Sequence, residues 1–345
     1  MDMVVNKCEN YMKGEVFLCT AVTYKTCDHY FGRTFDYERS FGEKVVITPR
    51  NYGFVFRKAK ALKHHYAMIG AALIVNDYPL YYDATNEQGL SMAGLNFPNN
   101  AVYSNEEQGK ENVAPFELIP WILGQCTNIS EVKTLLRCTQ IVDMNFSEQL
   151  PATPLHWMVS DSKTSLVIEV MENGMNVYDN PLGVLTNNPR FDQQLFNLNN
   201  YISLSIDPPI NHWKDALHLS TYSRGMGAIG LPGDLSSVSR FVRAAFTKIH
   251  SLSDESEAES VSQFFHILGS VTQQRGLVRL DDNVYEKTIY TSCCNTSQGI
   301  YYYKTYDNHH ICAVCLFNEN LEGQELTVYP FIHEQQIYWQ NRPVD

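Results

Sequence analysis

Cys19-Thr20-Ala21-Val22-Thr23-Tyr24, then Lys25-Thr26-Cys27-Asp28, then His29-Tyr30-Phe31-Gly32-Arg33-Thr34-Phe35 is the stretch on which the fold turns. The two outer runs are rich in β-branched and aromatic residues, which suit a pleated, half-buried surface. The four residues between them are turn formers, so the whole predicts a β-hairpin. Asp36 follows directly. Arg33 and Asp36 are three apart, so in a regular strand they face opposite sides. A turn or bulge after Arg33 is needed for both to approach Cys19.

Outward from the hairpin, further apolar runs read as strands: Lys44 to Thr48 (stopped by Pro49), Tyr66 to Val75 and Gly89 to Leu95. Ala114 to Leu123 and Ser130 to Arg137 have apolar spacing near 3.6, with Ser130 as the N-cap of the second. Strands return at Leu155 to Ser160 and Leu166 to Met171. Helices are expected at Ser237 to Ser251 and Ser260 to Val271, and strands at Thr288 to Cys293, Ile300 to Tyr306 and His310 to Phe317. Residues 187–234 are rich in Asn, Pro and Gly and too long for a plain loop, which predicts an ordered excursion or an assembly arm. This order suits an α+β protein of two stacked antiparallel sheets covered by helices.

The 345 residues are 44% hydrophobic and 19% charged, the make-up of an ordinary globular protein. A formal net charge of -12 argues against nucleic acid as partner, because a phosphate backbone is bound by clustered Lys and Arg. No run approaches the ~20 apolar residues of a membrane span. The first eighteen residues hold no continuous apolar stretch or small-residue cleavage site, so a cytoplasmic protein is expected. Nine cysteines, an odd number, fit reduced thiols better than a disulfide framework. Cys293-Cys294 with Cys312 and Cys315 raises a rival reading, a non-catalytic cysteine-rich metal-binding module. The adjacent pair lacks the C-x₂₋₄-C spacing of a zinc site, and both pairs lie in β-prone runs, so no metal is expected.

Several ordered segments resemble the choloylglycine hydrolase family, which includes bile salt hydrolases and penicillin V acylases. They are Cys19-Thr20-Ala21 with Phe31-Gly32-Arg33-Thr34-Phe35-Asp36; Asn86-Glu87-Gln88-Gly89-Leu90 continuing to Ala93-Gly94-Leu95-Asn96-Phe97-Pro98; Leu185-Thr186-Asn187-Asn188-Pro189; Gly230-Leu231-Pro232-Gly233-Asp234 followed by Ser237 to Arg243; Thr288-Ile289-Tyr290-Thr291-Ser292; and Tyr302 to Asn308. The resemblance runs from Cys19 to about Phe331. It implies the four-layer αββα sandwich of the N-terminal-nucleophile (Ntn) hydrolases, a single domain over 19–345, and no cofactor.

It also implies chemistry. Cys19 would be the first residue of the active chain and the attacking nucleophile, with its own α-amine as general base. An α-amino group near pKa ~8 and a thiol near ~8.5 exchange a proton at little cost near neutral pH. The thiolate would form an acyl-enzyme that water hydrolyses. Arg33 would favour the thiolate, and Asp36 would hold the amine. Asn187 through its side-chain amide and Asn96 through its backbone N–H would receive the oxyanion, each contributing about 3 kcal/mol. Arg240 would complete the cluster. Asn96 and Asn187 also have the plainer reading of turn formers. Penicillin acylases of the family tend to carry Tyr at the position of Asn96. The expected substrate is therefore a conjugated bile salt, cleaved at its glycine or taurine amide, with penicillin V as the alternative. Phe35, Ala67, Ile129 and Leu135 are candidate walls of an apolar steroid pocket. A homo-oligomer, a tetramer, is implied.

One departure from the family pattern stands out. Bile salt hydrolases usually carry only an initiator Met before this Cys, whereas eighteen residues precede it here. They form either a propeptide or a mis-assigned start. Lys13-Gly14-Glu15 can be encoded by AAA-GGA-GAA, which resembles a ribosome-binding site, and Leu18 can be a TTG start codon.

Overall fold

A computed structural model describes residues 18–214 and 217–341. All of the expected N-terminal extension except Leu18 therefore lies outside the described residues. The strands, in chain order, are β1 (Leu18–Lys25), β2 (His29–Tyr37), β3 (Lys44–Thr48), β4 (Met68–Val75), β5 (Tyr78–Asn86), β6 (Ser91–Asn96), β7 (Glu111–Val113), β8 (Thr139–Ile141), β9 (Leu155–Ser160), β10 (Ser165–Met171), β11 (Gly174–Asp179), β12 (Val184–Leu185), β13 (Val278–Asp281), β14 (Val284–Asn295), β15 (Ile300–Thr305), β16 (Cys312–Cys315) and β17 (Thr327–Pro330). The α-helices are α1 (Leu118–Leu123), α2 (Ile129–Leu136), α3 (Phe191–Asn197), α4 (Ser237–His250) and α5 (Glu257–Gly269).

Two antiparallel sheets dominate. The first runs β12-β1-β2-β14-β15-β16, with β13 on β14; the second runs β11-β10-β9-β6-β5-β4-β3-β17. Phe241, Phe264 and Leu268 of α4 and α5 share a core with Val22 and Tyr24 of β1, and this core also takes in Ala71, Leu95 and Met158 of the second sheet. Trp121, Ile122 and Val132 of α1 and α2 pack with Met92, Val159 and Ile168 in a separate core. Helices thus cover each sheet on the side away from the other, giving the four-layer αββα sandwich of the Ntn hydrolases.

The opening hairpin forms as expected, with Cys19 opposite Phe35 and Ala21 opposite Arg33. No bulge interrupts β2 against β1. The irregularity falls in the other neighbour, β14, between Thr288 and Tyr290, opposite Phe35 and Asp36. Gly32 is required by close approach: a Cβ there would lie 2.1 Å from the Ser292 carbonyl oxygen.

Several local expectations shift. The N-cap of α2 is Asn128, whose side chain accepts the Glu131 N–H, and not Ser130. Ala114 to Leu123 divides into a 3-10 turn at Pro115–Glu117 and α1. Ser256 caps α5, which therefore begins earlier than Ser260. Strand β5 falls outside the runs that read as strands and carries Pro79 at its second position. Its entry is a two-residue turn at Asn76 and Asp77, with φ of 51° and 59°. That left-handed pair matches the right-handed twist of a hairpin. The expected arm at 187–234 also divides, because 187–197 form part of the site and α3.

Candidate active site

Cys19 lies near the start of β1 and is 2% exposed. Because it sits opposite Phe35, its side chain shares a face with Phe35 and Arg33. Arg33 is equally buried. Its guanidinium is fixed by backbone carbonyls, with Nη1 donating to Gly94 O at 2.5 Å and to Tyr82 O at 3.0 Å, and Nε donating to Thr34 O. Burial alone would push Arg33 down. The sulfur of Cys19, Tyr290 and Asp83 outweigh that and hold it above its ordinary value. Burial pushes the Cys19 thiol up, opposed by Arg33, by a hydrogen bond from the Asp36 N–H and by Arg240. The resting sulfur is thus a thiol, so a nucleophilic role requires a base within reach.

Asp36 is fully buried. Its carboxylate accepts the hydroxyls of Thr34 at 2.9 Å and Thr288 at 2.6 Å. Burial raises it to about 6, against the pull of Arg240 and those hydroxyls. The Cys19 N–H, still part of the Leu18–Cys19 peptide, goes to Asn187 Oδ1 at 2.7 Å and not to Asp36.

Arg240 projects from α4, whose N-cap is Ser236. It donates through Nη1 to the Cys19 carbonyl at 2.7 Å and to Thr20 Oγ1 at 2.6 Å, and through Nη2 to Asn187 Oδ1 at 2.8 Å. Two donors on Oδ1 fix the orientation of the Asn187 amide. Nδ2 then donates one hydrogen to Asn96 O at 2.8 Å and keeps a second. Cys19, Arg33, Asp36, Asn96, Asn187 and Arg240 are therefore brought together, although their elements come from both sheets and α4.

An apolar cavity opens over Cys19. Arg33, Phe35 and Asn96 are in its wall, with Phe41, Tyr82, Phe116, Phe146, Leu150 and Trp157. Of the four candidate pocket residues the structure places Phe35 there. It places Ala67, Ile129 and Leu135 elsewhere. Ala67 is wholly buried in the core, its N–H donating to Glu87. Ile129 and Leu135 pack in the helix-covered core of the second sheet.

Sequence reasoning passed over Glu286 and the pair His156–Glu169. Glu286 accepts the Leu18 N–H at 2.8 Å. Burial, reinforced by the charge on Asp36, raises it to about 8. The available signal was a lone acid in a twelve-residue strand whose only other charged residue is Lys287. The four C-terminal cysteines lie on β14 and β16, Cys293 and Cys294 buried. Among the described residues, no three His, Cys, Asp or Glu side chains converge as a metal site would require. Among those residues, too, no helix is long and apolar enough to cross a membrane.

The two facing sheets, with a buried cysteine at the head of an edge-proximal strand and amide donors around it, define the class as an Ntn-type amide hydrolase. Residues 19–329 match the profile of the linear amide C–N hydrolases, choloylglycine hydrolase family, and the chain belongs to that family. A bile salt hydrolase/transferase of Lactiplantibacillus plantarum is 57% identical over 321 residues, covering 93% of this chain and 99% of that one. One from Clostridium perfringens is 39% identical, covering 91% and 97%. The solved structure of a cysteine-to-alanine mutant of the conjugated bile acid hydrolase from Clostridium perfringens superposes with a TM-score of 0.87 at 38% identity, over 94% of this chain and all of that one. A penicillin V acylase from Agrobacterium tumefaciens shares the fold, with a TM-score of 0.72 at 17% identity over 90% of each chain.

Proposed function

We propose that this protein hydrolyses the amide joining glycine or taurine to a bile acid, with Cys19 as nucleophile. The observation that carries the reading is the buried Cys19 thiol at the base of an apolar cavity, its backbone nitrogen held 2.7 Å from Asn187 Oδ1. The relatives named bile salt hydrolase/transferase, at up to 57% identity, support the substrate class.

In the active form residues 1–18 are gone and the Cys19 nitrogen is an amine. It takes the thiol proton, the thiolate attacks the scissile carbonyl, and the second hydrogen of Asn187 Nδ2 and the Asn96 N–H receive the oxyanion. The amine returns the proton to the departing glycine or taurine nitrogen. Water then cleaves the thioester by the same route. Arg33 favours the thiolate. Asp36 and Asn187 Oδ1 orient the amine, and Arg240 holds Asn187.

A steroid suits a cavity walled by Phe35, Phe41, Phe116, Phe146 and Leu150. The protein works as a homo-oligomer, a tetramer, through the arm after α3. This is supported by its exposed Ile202, Ile206, Ile210, Trp213 and Tyr222. All eight cysteines among the described residues are free thiols, which suits the cytoplasm.

The test compares kcat/KM for glycine release from glycocholate, taurine release from taurocholate and phenoxyacetate release from penicillin V. The conjugates are expected to exceed penicillin V. The reverse order would move the protein to the penicillin acylase branch.

A further inference from the structure

Asn96 and Asn187 come from different layers. Asn96 ends β6 in the second sheet, while Asn187 lies two residues beyond β12, which pairs with β1 in the first. Asn187 Nδ2 reaches Asn96 O directly at 2.8 Å, which requires the two backbones to be held at that spacing. His156 stands at that junction. It belongs to β9, directly opposite Leu95 of β6, and is wholly buried. Its Nε2 donates to the carbonyl of Thr186, the residue before Asn187, at 2.8 Å. Because a carbonyl only accepts, this nitrogen carries a hydrogen. The ring lies flat on Phe97, the residue after Asn96, with centroids 4.3 Å apart and planes 6° from parallel.

The other ring nitrogen is held in turn. Nδ1 meets Glu169 Oε1 of β10 at 3.1 Å, and the same oxygen accepts the Phe191 N–H at 2.9 Å. Glu169 is also wholly buried. One ring therefore joins β9, the Asn96 loop and the Asn187 segment, and one carboxylate orients that ring and anchors the start of α3. Asn188 Nδ2, donating to Pro98 O at 2.7 Å, ties the same two segments a step further along. Two buried ionisable groups in a β-sandwich core are costly; Glu169 Oε2 is buried without a hydrogen-bond partner, and the bonds the pair does make are aimed at the loops that carry the amide donors.

We propose that His156, oriented by Glu169, is a positioning pair that sets the separation of the Asn96 and Asn187 oxyanion donors. This rests on the reading of Cys19 as an amide-hydrolysing nucleophile and adds the element that registers one sheet's donor on the other's. Neither residue touches substrate. Their effect falls on the transition state, where the oxyanion exists, and not on ground-state binding or on the thiol.

The experiment uses protein that begins at Cys19 and runs to the C-terminus, its N-terminus checked by intact mass, with glycine release from glycocholate and iodoacetamide alkylation of Cys19 measured side by side. A donor misplaced by about 1 Å costs on the order of 100-fold. His156→Ala is therefore expected to lower kcat by about that factor while KM and the alkylation rate stay near wild type. His156→Gln, whose amide can donate to Thr186 O, should restore most of kcat. Glu169→Gln keeps the shape and should give a smaller loss of the same kind, and it decides the matter if His156→Ala does not fold. Wild-type kcat in folded His156→Ala or Glu169→Gln overturns the role, as does a loss in KM alone or alkylation slowed in step with kcat. A wild-type protein that releases no glycine sinks the underlying reading and the positioning role with it. An active wild type matched by His156→Ala sinks the positioning role alone.

Discussion

At Cys19 two effects compete, and burial wins: the thiol is held above its ordinary value despite Arg33, Arg240 and the Asp36 N–H. Reactivity therefore depends on a base that can take its proton. Cys19→Ala is expected to abolish glycine release while leaving the thermal midpoint near wild type, and iodoacetamide should inactivate the wild-type enzyme. A folded Cys19→Ala protein with undiminished turnover would sink the nucleophile assignment. Glu286 offers a test of the site's electrostatics in protein that retains residues 1–18. Its carboxyl moves from an ordinary 4.5 up to about 8 on folding, so the folded state holds the proton more tightly than the unfolded one. The stability this contributes is complete below pH ~4.5 and is lost as pH rises towards about 8. Relative to wild type, Glu286→Gln should therefore gain in thermal midpoint as pH rises through that window. A midpoint difference that does not change with pH would contradict the assigned shift. The contrast between Cys19 and Glu286 shows what was legible at this scale. Cys19, Arg33, Asp36, Asn96, Asn187 and Arg240 stand in ordered motifs and can be read. Glu286, His156 and Glu169 sit singly in strands, and their importance lies in partners more than ten residues away in sequence, Leu18, Thr186 and each other.

Among elements, the hairpin β1–β2, strand β3 and helix α4 follow from local pattern because local chemistry and tertiary packing agree there. Helix α2 shows a nearer competition, between Asn128 and Ser130 for the cap. Asn128 wins because its side chain accepts the Glu131 N–H at 3.1 Å while Glu131 reaches back to Thr127 N at 2.7 Å. The first bond satisfies a donor the helix cannot satisfy itself, and the second ties the residue before the cap to the first turn. Asn128→Ala should cost about 1 kcal/mol in urea unfolding, and Ser130→Ala much less, with turnover unchanged in both. Equal losses from the two substitutions would return the cap to Ser130. The cavity wall was the least legible feature. Phe41, Phe116, Phe146 and Leu150 come from loops and a 3-10 turn, where apolar residues follow no period, so nothing local distinguishes a wall residue from any other loop residue. Ile129 and Leu135 have the helical period that draws the eye, and that period faces them into the core.

At the scale of the whole molecule, the layers could be inferred from the order of elements and the family motifs, while the state of the N-terminus is a question of chemistry. With the Leu18–Cys19 peptide intact, Leu18 pairs with Asp36 across β1–β2 and gives its N–H to Glu286, while the Cys19 nitrogen gives its only hydrogen to Asn187 Oδ1. The surroundings of a catalytic amine are thus assembled around a nitrogen that is still an amide. An amide nitrogen is not basic near neutral pH and cannot take the thiol proton. Active protein should therefore begin at Cys19, whether by initiation at Leu18 with removal of the resulting Met or by cleavage after Leu18. Protein expressed from Met-Cys19 should be fully active once the Met is removed, and protein made to retain residues 1–18 should be inactive. Intact-mass measurement on the same samples used for the glycine-release assay decides it. A preparation with full turnover in which every molecule retains residues 1–18 would exclude the α-amine as base and require the proton to leave Cys19 by another route.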